Sequence, residues 1–154
     1  MHRRAAYVAS ALAFASAAIS VYWTLGGTAW LDSVGGQIEE FARDRSAGAI
    51  AVGTLTSLAK AATGLLALAL VRPWGRSIGP RRVLIAGAVA SGVLILWGGL
   101  NVLVGGLVLL DVIVPSEPAD EYALRSHVLV WDMWFLLWGL ALAYAAAGLR
   151  RATR

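Results

Sequence analysis

Four stretches of this chain, residues 5–27, 47–71, 83–110 and 127–149, are apolar for longer than the roughly 18 residues that mark a membrane-crossing helix. A hydrocarbon core of about 30 Å takes about 20 helical residues, so the first, second and fourth stretches fit with little to spare. The third is longer, about 42 Å at 1.5 Å per residue. It has to tilt or project past the lipid, and residues 105–111 form the projecting end. Composition agrees: 59% of residues are hydrophobic and 14% are charged, against about 25% charged in an average soluble domain. That is too little polar surface to cover a water-soluble globule. The expectation is one all-α domain over residues 1–154, an integral membrane antiparallel four-helix bundle with short connections.

Charge gives these helices a direction. The N-terminus (Arg3, Arg4), the second loop (Arg72, Arg76, Arg81, Arg82) and the tail (Arg150, Arg151, Arg154) hold nine arginines and no acid. The first and third loops and the adjoining span ends hold all nine acids, with only Arg43, Arg45 and Arg125 among them. Positively charged segments stay cytoplasmic, which predicts both termini inside and loops one and three outside. The same distribution argues against nucleic acid as a partner despite a net charge of +4, because the arginines sit at span ends and form no binding face. With no cysteine, disulfides, thiolate metal sites and dithiol redox chemistry are excluded. A rival reading takes the first stretch as a cleaved signal peptide, given its basic start and Ala15-Ser16-Ala17. Its length and the terminal aromatic pair Tyr22-Trp23 favour a retained span.

Between the spans, Trp30, Val34, Ile38 and Phe41 recur at helical spacing and predict an external interfacial helix over about 30–43. The third loop, 114–126, reads as a proline-broken acidic turn that caps the fourth helix. Spans associate in lipid through close packing of small residues. That assigns contact rows to Ala9, Ala13, Ala17 and Thr24, to Gly53, Ser57, Ala61 and Gly64, and to Gly139, Ala143 and Ala147. Trp131, Trp134, Trp138 and Leu142 project from other sides, which reads as a lipid-facing belt and packing, with ligand stacking as the alternative.

Lys60 is the one lysine, and it stands near the middle of the second span. An ionised lysine there costs about 3 kcal/mol or more, so it should turn toward the bundle. Helical side chains lean toward their helix N-terminus, here the outer side. Asp132 is the one carboxylate inside a span, and the vertical gap between the two Cα atoms is about 9 Å. A water-bridged contact suits that gap better than a direct one. Asn101 and Tyr22 lie near the outer edge and lean inward. The pattern predicts an outward-facing polar pocket with Lys60 as its floor and Tyr22, Asn101 and Asp132 at its rim, where Trp23 and Trp131 add aromatic surface. Three readings stay open for Lys60: a contact that joins helices, a site for an anion or ligand, and proton-linked chemistry through desolvation. Two histidines, His2 and His127, are too few for a metal site, and the chain carries no HExxH, GxSxG or phosphate-loop pattern. No cofactor is implied.

VYWTLGG at the end of the first span and WDMWFLLWG in the last resemble a family of small bacterial membrane proteins with about four spans, classed as a domain of unknown function. The resemblance covers most of the chain. It implies the four-span architecture, the plasma (inner) membrane of a bacterium, and weight on Tyr22, Trp23, Gly26, Gly27 and Asp132. It supplies no substrate. In that family a histidine often stands two places before the tyrosine; here the position is Ser20, so histidine-based chemistry does not carry over. The leading expectation is a non-enzymatic membrane module that binds a small or lipid-like ligand, or a partner subunit, through the pocket. The alternatives are a transporter or channel subunit using Lys60 and Asp132, as a homo-oligomer, and an intramembrane lipid- or isoprenoid-modifying enzyme with Asp132 and Tyr22 as acid–base groups.

Overall fold

A computed structural model describes residues 1–115 and 120–152, and the described residues contain helices and turns but no strand. Helix α1 spans His2–Thr24, α2 Gly36–Asp44, α3 Ala47–Ala69, α4 Trp74–Ile78, α5 Pro80–Leu109 and α6 Glu121–Ser126. A single π-helical turn, His127–Trp131, joins α6 to α7, Asp132–Ala152. Four of these units are long and apolar enough to cross a membrane: α1, α3, α5 and the continuous α6–π–α7 rod, Glu121–Arg151.

The helix ends follow from local chemistry. Ser46 caps α3 by accepting a hydrogen bond from the Ala49 amide at 3.2 Å. Asp120 caps α6 through the amides of Tyr122 and Ala123, as the acidic third loop predicted; residues 116–119 of that loop lie outside the described residues. Pro80 opens α5, where a missing amide costs nothing.

The Tyr-Trp-Thr-Leu-Gly-Gly stretch that ends α1 is a Schellman stop. Gly26 NH bonds to the Trp23 carbonyl and Gly27 NH to the Tyr22 carbonyl, both at 2.9 Å, with Gly26 at φ +98°. A side chain at Gly27 would run into the Tyr22 ring at 2.2 Å. The motif is therefore accounted for by backbone geometry.

All three large helix contacts are antiparallel. α1 packs on α3, where Gly53 meets Thr24 and Gly64 meets Ala13 and Phe14. α5 packs on α7: a Cβ on Gly98 would lie 2.5 Å from the Leu136 nitrogen, and one on Gly139 2.9 Å from the Ile95 nitrogen. α1 packs on α7, where the Trp134 indole donates to the Leu12 carbonyl at 3.1 Å. The helices thus stand in the order α3–α1–α7–α5, and α3 and α5 scarcely touch. The small-residue rows on α1 and α3 lie on these contacts, with Ala9, Ala13, Ala17, Ser57 and Gly64 buried.

Two expectations change. The tryptophan stripe of α7 faces the protein: Trp138 (1% exposed) and Leu142 (0%) are the largest side chains of the core, amid Ala6, Ala9, Ala13, Ala145 and Ala146. The alanines of α1 are too small to fill the space between helices, and the indole fills it. The surface helix begins at Gly36, six residues later than its apolar spacing suggested. Trp30 sits ahead of it in a turn at φ +61°, 67% exposed, while Leu31 and Val34 plug into the bundle.

Candidate functional site

The sparse contact between α3 and α5 leaves a cavity of about 660 Å³ in the half of the bundle that carries α2 and the acidic loops. α1 and α7 form its back wall, α3 and α5 its sides, and Ile38 and Phe41 of α2 its roof. Ile50 and Val52 on α3 and Trp97 on α5 are exposed at its edges, so it opens sideways between these two helices.

Lys60 marks the inner limit of this cavity. Its ammonium donates to Ser20 Oγ on α1 at 2.8 Å and lies 5.5 Å from the centre of the Phe135 ring on α7. Ser20 thus seats the lysine. An ammonium has three protons, and Ser20 is its one hydrogen-bond acceptor among the described residues. No described carboxylate pairs with Lys60. The direct Lys60–Asp132 bridge is absent, because Asp132 is committed elsewhere.

That commitment runs through the π turn. In an α-helix, residues five apart point about 140° away from one another. The π turn replaces one i→i−4 bond by an i→i−5 bond, Asp132 NH to the His127 carbonyl, and brings the two side chains onto one face. His127 Nδ1 lies 3.0 Å from Asp132 Oδ2, and Nε2 donates to the Val34 carbonyl at 2.9 Å. The pair therefore ties the first loop to the last span. Asp132 is 4% exposed and still contributes to the cavity wall. Beside it, the Trp131 indole donates to Ser33 Oγ at 3.0 Å and meets the Trp23 ring edge-on at 5.3 Å. The Trp23 indole donates to the Ala29 carbonyl at 2.9 Å.

Five of the six residues expected to form the pocket, Lys60, Asp132, Asn101, Trp23 and Trp131, line this cavity. Asn101 folds its amide back onto the Trp97 carbonyl of its own helix, 2.8 Å away. Tyr22 is not part of the wall. Its ring covers Gly27, and its hydroxyl accepts from the Ala29 amide at 3.3 Å, which makes it a brace for the turn after α1. His127 was set aside in the sequence as an interfacial residue too isolated for a metal site. Its spacing of five from Asp132 carries no signal unless the helix is known to widen there. Gln37, Phe41 and Arg45 were also missed, because nothing in the sequence says that α2 folds over the cleft.

Fold and site together define a class: a small helical membrane protein, laterally open, with one cationic side chain at the inner end of an aromatic cavity. The chain belongs to the family described as "Protein of unknown function (DUF3995)", whose model matches residues 13–142. The match takes in every wall of the cavity. No curated protein and no solved structure is significantly similar to the chain.

Proposed function

We propose that this protein is a non-enzymatic binding module for an amphipathic, lipid-like molecule carrying an acidic group. The ligand enters from the bilayer between α3 and α5, lays its apolar body against Trp97, Trp134 and Phe135, and sets its acidic group on Lys60. The observation that carries this reading is the Lys60 ammonium, which adjoins a cavity of about 660 Å³ with one serine as its protein acceptor. Two of its protons are left for a ligand, and a half-buried cation at mid-span with no counter-ion among the described residues is costly enough to demand one. The volume lies within the range of small-molecule sites, about 300–1,000 Å³.

The charge asymmetry of the sequence supports the orientation that goes with this reading: both termini in the cytoplasm of a bacterium, and the cavity in the outer half of the inner membrane. The bonding of His127 argues against acid–base catalysis by its imidazole. Both ring nitrogens are engaged, with Asp132 and with the Val34 carbonyl, so the ring presents no free lone pair to the cavity. Native mass spectrometry of the purified full-length protein tests the proposal. An acidic lipid or fatty acid that stays bound through detergent removal, and is lost in Lys60→Met while the fold persists, is the expected result. Wild-type protein that retains nothing, or a Lys60→Met variant that retains the same adduct, contradicts it.

A further inference from the structure

The opposite end of the bundle carries a second cavity, of about 410 Å³, separate from the first in every lining residue. It is enclosed by the start of α1 (His2, Arg3), the link from α3 to α4 (Arg72), α4 itself (Arg76) and the end of α7. Its lining is the more polar of the two.

We infer that this cavity is a binding site for an anionic phosphate ester, the headgroup chemistry of an acidic phospholipid. Three arginines meet there, and no acidic side chain stands in residues 1–31 or 45–110. A 20-residue helix is about 30 Å long, so the acids that flank the opposite end lie several Debye lengths away, at about 8 Å each in physiological salt. One arginine and the neighbouring histidine are also held in place. The Arg72 guanidinium lies 5.4 Å from the centre of the Tyr7 ring, a cation–π contact that positions it without neutralising it. His2 is pinned by its Nδ1–H bond to the Tyr144 carbonyl at 3.0 Å and by stacking on the Tyr144 ring at 4.6 Å. Gly148 makes room for that ring: a Cβ there would lie 2.3 Å from His2 Cγ.

The link itself is folded tightly. A side chain on Gly75 would strike the Ala69 carbonyl at 1.9 Å, so the backbone between Arg72 and Arg76 lies close against the end of α3. Planar guanidinium forks match phosphate oxygens in pairs. A basic pocket between spans at the arginine-rich end is where acidic lipid headgroups bind. The orienting role of these arginines needs charge alone. A walled cavity that gathers three of them into one place goes beyond it.

The test uses full-length protein in nanodiscs and in detergent. Binding of phosphatidylglycerol is measured in a phosphatidylcholine background, with inorganic phosphate as the competitor. Arg72→Gln/Arg76→Gln is compared with Arg81→Gln/Arg82→Gln, which removes the same charge outside the cavity. The cavity pair should weaken phosphatidylglycerol binding about tenfold or more, and the control pair about twofold or less. Competition by millimolar inorganic phosphate, with no preference among lipids, would assign the same site to free phosphate. Equal losses in both double variants, or indifference of the protein to both phosphatidylglycerol and phosphate, overturn the inference. Arg3→Gln, on the exposed start of α1, repeats the test if the double variants misfold, and it should weaken binding by the same criterion.

Discussion

The two halves of this bundle are built from the same four spans in opposite ways. Toward the arginine end, alanines on α1, α3 and α7 bring backbones together, Trp138 and Leu142 fill the core, and the smaller cavity is confined to the helix ends. Toward the acidic end, the same helices carry Trp23, Trp97, Trp131 and Phe135, and α3 and α5 stay apart around a cavity. Small residues at the contacts close a bundle without help from water. Large aromatics on the walls, a widened helical turn and a buried cation keep it open. The comparison teaches that openness here is placed: the polar contacts of the acidic half fix its walls while its centre is left unfilled.

That contrast can be broken from either side. The largest effect is expected in the alanine-packed half. Trp138→Ala removes the largest core side chain and should cost about 3–5 kcal/mol, read as a loss of thermal stability in detergent. Trp138→Phe should cost much less, because the indole N–H it deletes has no partner. Next comes Gly98→Ala at the α5–α7 crossing, where the new methyl would meet the backbone of Leu136 and the Asp132 carbonyl. Overpacking of this kind costs about 1–3 kcal/mol, and the same thermal measurement checks it. Asp132→Asn should cost a similar or smaller amount, about 1–3 kcal/mol, by weakening a buried hydrogen bond to His127. Its signature is local: hydrogen exchange should accelerate in loop residues 31–35, which His127 anchors, and stay unchanged in α5. Lys60→Met should have the smallest effect on stability, near zero or slightly stabilising, since it removes a half-buried charge that no described carboxylate neutralises. If it destabilises as much as Trp138→Ala, Lys60 belongs to the packing of the bundle and has no ligand to await.

The architecture was legible in the sequence because the membrane leaves few choices. Runs of about 20 apolar residues become spanning helices, and the small residues of α1 and α3 mark where they meet. The inward turn of Lys60 was legible for a similar reason: lipid is a poor solvent for an ammonium. Its partner was not. Ser20 is one of three serines within a mostly alanine and aromatic span, and only packing decides which of them meets α3. The π turn was invisible, since an apolar run reads the same whether one turn is widened or not. Without it, His127 and Asp132 point apart and their pairing has no sequence signature. Tyr22 was misplaced because an aromatic at a span end suits a pocket rim and a turn brace equally well. The paired glycines beside it were the clue that favoured the turn.

The central claim is that position 60 borders a cavity open between α3 and α5 and, past α2, to small solutes from the acidic end, at a depth where a neighbouring residue of the same helix meets lipid. The natural absence of cysteine makes this directly measurable. Lys60→Cys and Leu58→Cys lie about 3 Å apart along the helix axis, but Leu58 is 62% exposed on the outer surface of the bundle. A membrane-impermeant, charged thiol reagent applied from outside should modify Lys60→Cys and leave Leu58→Cys unreacted. Equal inertness of both, or reaction of Lys60→Cys only when the reagent is applied from the arginine-rich side, would contradict the account.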